Sequence, residues 1–205
     1  MTRIYVYAAA VLVTLMLAGV TFLMFRGQGD DQFADCRTSR IAAGKSSIGG
    51  PFTLVNKSGR TVTDAEVLTK PSLIYFGYTY CPDVCPADNA RNAEAIDLLT
   101  AKGLDVVPVF ISVDPARDTP QVVGEFAGYM HEKMIGLTGT PEQIKAVSKA
   151  YKTYYRKNGE GDDYLVDHST FTYLTLPDHG FVEVFRRDAT AKALAETVAC
   201  FIGAS

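Results

Sequence analysis

The chain has 205 residues, a formal net charge of −3, 47% hydrophobic and 21% charged residues, enough for one domain with a sizeable core plus an appendage. An acidic balance without a long basic block lacks the electrostatic footprint of nucleic-acid binding. Nucleic acid is therefore not an expected partner.

The first segment stands apart. Ile4 to Phe25 carries no charge and is bounded by Arg3 and Arg26, which is long enough to span a hydrocarbon core. A cleavable signal peptide is the competing reading, but its apolar region usually runs only about 7 to 15 residues. The expectation is a single transmembrane helix at 1–26. Charge bias orients it poorly: Arg3 and the amino terminus lie on one side, while Arg26, Arg37 and Arg40 offset Asp30, Asp31 and Asp35 on the other, and acidic residues count for little. Residues 27–48 are rich in Gly, Ser and charge and read as a juxtamembrane tether. The folded domain is expected over 49–205.

Phe52 to Val55 and Arg60 to Val62 flank Asn56-Lys57-Ser58-Gly59, the composition of a hairpin turn. Ser72 to Tyr78 and Val106 to Val113 read as buried strands, although Pro108 sits awkwardly in a central ladder. Between them, Pro86 to Lys102 reads as a helix stopped by Gly103, so the two strands should be parallel. Further helices are expected from Pro120 to about His131 and from Pro141 to about Tyr151, capped by Thr119 and Thr140. Phe171 to Leu176 and Phe181 to Phe185 form a hairpin around Pro177-Asp178-His179-Gly180. The last helix, Ala189 to Ile202, places Leu194, Val198, Phe201 and Ile202 on one face. This order is that of a thioredoxin-like α/β domain with an N-terminal β-hairpin.

The chemistry centres on Tyr80-Cys81-Pro82-Asp83-Val84-Cys85-Pro86, between a buried strand and a helix. A helix N-terminus favours thiolate over thiol, the form that binds metal or attacks a disulfide. Four-residue spacing brings the two sulfurs to one helical face. Two buried core thiols are the plainer alternative, but the prolines and Asp around them suggest a shaped loop. Dithiol oxidoreductases of this topology usually carry two intervening residues rather than three, which demotes a pure thioredoxin activity.

A third donor has to come from three histidines. His131 ends a helix, where a solvated side chain is the simpler role, and His179 sits in a turn. His168, in Val166-Asp167-His168-Ser169, lies just before a strand, where a loop can bring it to the same sheet end. On the residues alone, ligand and satisfied loop histidine stand level. Two thiolates and an imidazole suit Cu(I) and admit Cu(II) or Zn(II), and zinc structural sites generally use four protein ligands.

With these motifs in view the chain resembles the Sco/SenC family, assembly factors for the copper centre of cytochrome c oxidase. The resemblance covers roughly residues 48–202. It rests on Gly50-Pro51-Phe52, Tyr75-Phe76-Gly77-Tyr78-Thr79, Cys81 to Pro86, Ile111 to Pro120 and Val166-Asp167-His168. It implies a copper metallochaperone with Cys81, Cys85 and His168 as metal ligands, or alternatively a thiol-disulfide oxidoreductase in which Cys81 and Cys85 are the catalytic pair. The implied cofactor is copper, as Cu(I) or Cu(II). The implied partners are the copper-site subunit of the oxidase, a copper donor chaperone and the membrane. The resemblance also implies a domain facing the periplasm from the bacterial inner membrane, or the intermembrane space if mitochondrial; no Arg- and Ser-rich transit segment precedes the anchor.

Asp114 and Asp118 are expected to orient His168 or meet Arg117, with capping and loop hydrogen bonding as the alternative. Cys36 and Cys200 lie outside the copper motif. Cys200 falls about 140° from the centre of the apolar face of its helix, and an oxidising compartment permits a Cys36–Cys200 disulfide, with two free thiols as the alternative.

Overall fold

The computed structural model describes residues 2–26, 31–39 and 48–205. Most of the expected tether, including Asp30 and Arg40, lies outside the described residues. Two compact units emerge, Met1–Asp35 and Cys36–Ser205.

The first unit contains helix α1, Thr2–Arg26, in which Leu12, Leu15, Met16 and Phe22 are exposed. Among the described residues no helix is long and apolar enough to cross a membrane.

The second unit is built on a seven-stranded sheet. Its strands are β1 (Thr53–Asn56), β2 (Thr61–Thr63), β3 (Ser72–Gly77), β4 (Val107–Ser112), β5 (Ile135–Thr138), β8 (Thr172–Leu176) and β9 (Gly180–Phe185), while β6 (Tyr155–Asn158) and β7 (Leu165–His168) form a separate hairpin. The main sheet runs β2-β1-β5-β4-β3-β8-β9. β3, β4 and β5 are parallel, and β1 and β8 flank them antiparallel. The helices are α2 (Asp64–Val67), α3 (Val84–Ala101), α4 (Pro120–Met130), α5 (Pro141–Ala150) and α6 (Ala191–Ala204).

The strands that position the site are the most apolar. Every residue of β3 is buried, as expected for a central strand covered on both faces. Pro108 is accommodated because Val107 donates its N–H to Pro71 O on the β3 side. The next residue then turns toward β5, whose pairing begins only at Val109 opposite Ile135. The missing N–H of Pro108 therefore breaks no ladder bond. α4 and α5 start where a Thr-Pro pair puts a cap before a pre-set φ: Thr119 accepts from Val122 N, and Thr140 from Gln143 N.

Four features depart from the sequence reading. α2 and β5 were not expected, nor was the β6–β7 hairpin. α3 begins at Val84 rather than Pro86, which draws Cys85 into its first turn.

Cys36 and Cys200 form a disulfide, with Cα atoms 5.6 Å apart. The residues that follow Cys36 lie along the edge strand β9. Arg37 donates to the carbonyl of Val182 at 2.5 Å, and Thr38 N, Ser39 N and the Ser39 hydroxyl all donate to the carboxylate of Glu183. Glu183 is wholly buried, and these donors supply what a buried carboxylate requires.

Candidate metal centre

β3 ends at Gly77, and the chain turns through Tyr78 to Asp83 before α3 begins. This is the carboxyl end of the parallel strands, where open α/β sheets place ligands. Gly77 is there because the space beside it is taken: a β-carbon would lie 2.8 Å from the Cys85 sulfur and 2.9 Å from the Tyr75 ring.

Backbone N–H groups in the first turn of a helix have no partner within the helix. Asp83, the N-cap of α3, makes no side-chain cap bond, and the Cys81 sulfur accepts instead, from Cys85 N at 3.3 Å. The sulfur therefore sits in the positive field of the helix end. The Cys81 thiol is held well below the usual thiol range, first by the Cys85 S–H that donates to it and then by the N–H groups of Cys85 and Asp83, against the opposing effect of burial. Cys85 is pushed up by the neighbouring Cys81 sulfur and by burial. The two shifts run in opposite directions, which makes Cys81 the more acidic thiol of the pair.

His168 is the last residue of β7, not a loop residue before β8; the loop expectation is corrected by the hairpin that carries it. Its Nε2 lies 3.2 Å from the Cys85 sulfur, and its Nδ1 lies 2.9 Å from Ser169 O. A carbonyl only accepts, so Nδ1 carries the proton of the neutral ring. The Nε2 lone pair is left aimed at the thiols, the outer hydrogen bond that orients metal-binding imidazoles. Tyr78 packs edge-on against the ring with centroids 5.7 Å apart, and Tyr75 does so at 6.2 Å. The donor atoms of Cys81, Cys85 and His168 all lie within 4.8 Å of one another, a group able to close on one ion.

Access is one-sided. A cleft of about 270 Å³ is lined by Tyr78, Cys81, Pro82, Asp83, Val84 and the strand from Leu165 to His168. Cys85 is fully buried behind it.

The other histidines lie apart from this group. His131 accepts Lys133 N on Nδ1 and faces Asp97 through Nε2 at 3.3 Å. His179 belongs to the β8–β9 turn. Asp118 accepts from Thr79 N, the Thr79 hydroxyl and the Ser112 hydroxyl, tying the loop before Cys81 to the end of β4. Burial nevertheless raises its carboxyl above the usual range. Asp114 takes Arg117 Nε at 2.6 Å and the Tyr164 hydroxyl at 2.6 Å. Among the described residues neither carboxylate bonds to His168, so of the two expected roles only the contact with Arg117 is present. Tyr78, Tyr164 and Gly77 escaped sequence reasoning as site residues. For the two tyrosines the only available signal was their place within a few residues of Cys81 and His168.

The family model described as SCO1/SenC matches residues 41–203. Protein SenC of Rhodobacter capsulatus is 56% identical over 198 residues, spanning 96% of this chain and 88% of that protein. Protein SCO1 homolog 1, mitochondrial, of Arabidopsis thaliana is 48% identical over 159 residues, which are 77% of this chain and 48% of that longer protein. The crystal structure of Arabidopsis thaliana ScoI with copper bound superposes with a TM-score of 0.72 at 45% identity, covering 76% of this chain and 99% of that one. The fold is thus the mixed α/β, thioredoxin-like fold of the Sco structures.

Proposed function

The chain belongs to the SCO1/SenC family, and on that premise we propose that it is a copper metallochaperone for the copper centre of cytochrome c oxidase. Cys81 and Cys85 hold copper as thiolates and His168 completes the set through Nε2. The observation that carries this reading is the 3.2 Å approach of Nε2 to the Cys85 sulfur, with the ring proton committed to Ser169. A relative of the same fold is described with copper bound. The soft donor set suits Cu(I) and admits Cu(II). Copper is cargo here: the cleft reaches Cys81 and His168 from outside, so ligands of the oxidase's copper-site subunit, or of a copper donor chaperone, can exchange with them one at a time.

The asymmetry of the thiols favours a second reading, thiol-disulfide exchange that reduces the oxidase cysteines before metal loading. The Cys81 thiolate attacks a partner disulfide, and the departing partner sulfur takes up a proton. Cys85 then loses its proton and attacks the Cys81 sulfur, freeing the second partner thiol and leaving a Cys81–Cys85 disulfide. Two electrons pass to the partner. His168 discriminates the two: His168→Ala should impair copper retention but leave disulfide reduction of a cysteine-pair peptide nearly intact.

We also propose that 1–26 is a single-pass anchor in a bacterial inner membrane, 27–48 a tether, and 49–205 the copper-binding domain in the periplasm. The uncharged run from Ile4 to Phe25 and the bacterial relative support this. The corresponding mitochondrial arrangement faces the intermembrane space. Membrane fractionation and protease protection of the full chain test the placement; a chain recovered wholly in the soluble fraction refutes it.

A further inference from the structure

His168 is carried by a hairpin that stands outside the main sheet, and a two-stranded hairpin is marginally stable by itself. Val166 packs into the core, and the loop that joins the two strands is tied through Asp162 and Tyr164 to Arg117 and Asp114 from elsewhere in the chain. Arg117, in the loop after β4, places its guanidinium carbon 3.6 Å from the ring centre of Tyr164, 4.8 Å from that of Tyr80 and 5.8 Å from that of Tyr78. Its Nε donates to Asp114, its Nη1 donates to Asp162 O, and the Tyr164 hydroxyl donates to the second oxygen of Asp114. Only 15% of the Arg117 side chain and 5% of Asp114 are exposed. The buried Nη2 has no hydrogen-bond partner among the described residues, which leaves ring faces to meet its charge.

These rings belong to the two halves of the metal centre. Tyr78 and Tyr80 lead into Cys81, and Tyr164 leads into β7 and His168. Lys157 of β6 covers Tyr164 from its own strand at 3.9 Å. The guanidinium fork and its delocalised charge do what a lysine cannot, stacking on rings while bonding Asp114 in its plane.

We propose that Arg117 is a positioning residue that staples the histidine hairpin to the cysteine loop, with Asp114 and Tyr164 as its partners, and so sets how firmly His168 closes on copper. This rests on the copper-binding reading above. Partners that orient metal ligands typically account for on the order of 10- to 100-fold in affinity, and Arg117→Gln is expected to weaken copper binding by that factor. Its effect is specific to His168.

The test is a double-mutant cycle on the full-length reduced chain, titrated with copper, together with the imidazole nitrogen splitting in the electron paramagnetic resonance of the Cu(II) form. Arg117→Gln should cost the stated factor and weaken the nitrogen splitting, yet change affinity by no more than roughly twofold when His168 is already Ala. Tyr164→Leu, which leaves the Arg117–Asp114 pair in place, should give the same pattern and decides the matter if Arg117→Gln does not fold. Equal losses with and without His168, or no loss in either variant, overturn the staple. If His168→Ala itself leaves copper affinity unchanged, it is the copper-binding reading that fails.

Discussion

A β-carbon on Gly77 would sit 2.8 Å from the sulfur of Cys85, so the last residue of β3 is a glycine because the Cys85 thiol occupies the place of its side chain. The Tyr75 ring at 2.9 Å and the Phe110 ring at 3.1 Å close the other directions, and all three neighbours are buried. Gly77→Ala should therefore destabilise the domain by about 1–3 kcal/mol, the usual cost of overpacking, and should weaken copper binding by displacing the sulfur. Urea unfolding and copper titration of the variant check both. Unchanged values would mean that Cys85 has room the geometry denies it.

The disulfide gives an independent prediction. Replacing Cys36 and Cys200 together by Ser should lower stability by about 2–4 kcal/mol, since the bridge fixes the strap whose donors satisfy the buried Glu183 carboxylate. Thermal unfolding measures the loss, and non-reducing peptide mapping of the wild type should recover the bridged peptides. Two separately alkylated peptides without prior reduction would contradict the bridge.

Thiol reactivity should split the pair. In the metal-free reduced chain, Cys81 should alkylate first and stay reactive at pH values well below the ordinary thiol range, because its pKa is lowered; reactivity is lost only as pH falls through that lowered value. Cys85, pushed up and fully buried, should resist alkylation until the chain unfolds. Mass-resolved iodoacetamide labelling from pH 5 to pH 9 reads both; a reversed order refutes the assignment of the thiolate.

How far the fold was legible depended on burial. β3 and β4 showed as continuous apolar runs, α4 and α5 announced themselves by Thr-Pro at their starts, and Cys200 betrayed its bridge by lying off the apolar face of α6. β5 is only Ile-Gly-Leu-Thr, too short and glycine-broken to carry a period. The β6–β7 hairpin was invisible for a different reason: Arg156, Lys157 and Asn158 are exposed, so nothing in their pattern demands a strand. The centre followed the same rule. Cys81 and Cys85 are near neighbours whose spacing and helix-end position could be read directly, whereas His168 lies 83 residues beyond Cys85 on that unreadable hairpin, and the Arg117 contacts with Tyr80 and Tyr164 exist only once the chain has folded.

Titrating the reduced full-length chain and its His168→Ala variant with Cu(I) and Cu(II) separately shows whether Cys81, Cys85 and His168 form one copper site. The wild type should bind one copper per chain, and the variant should bind it with affinity lowered by more than about tenfold and with an altered Cu(II) spectrum. A wild type that binds no copper, or a variant with the same affinity and spectrum, would contradict it.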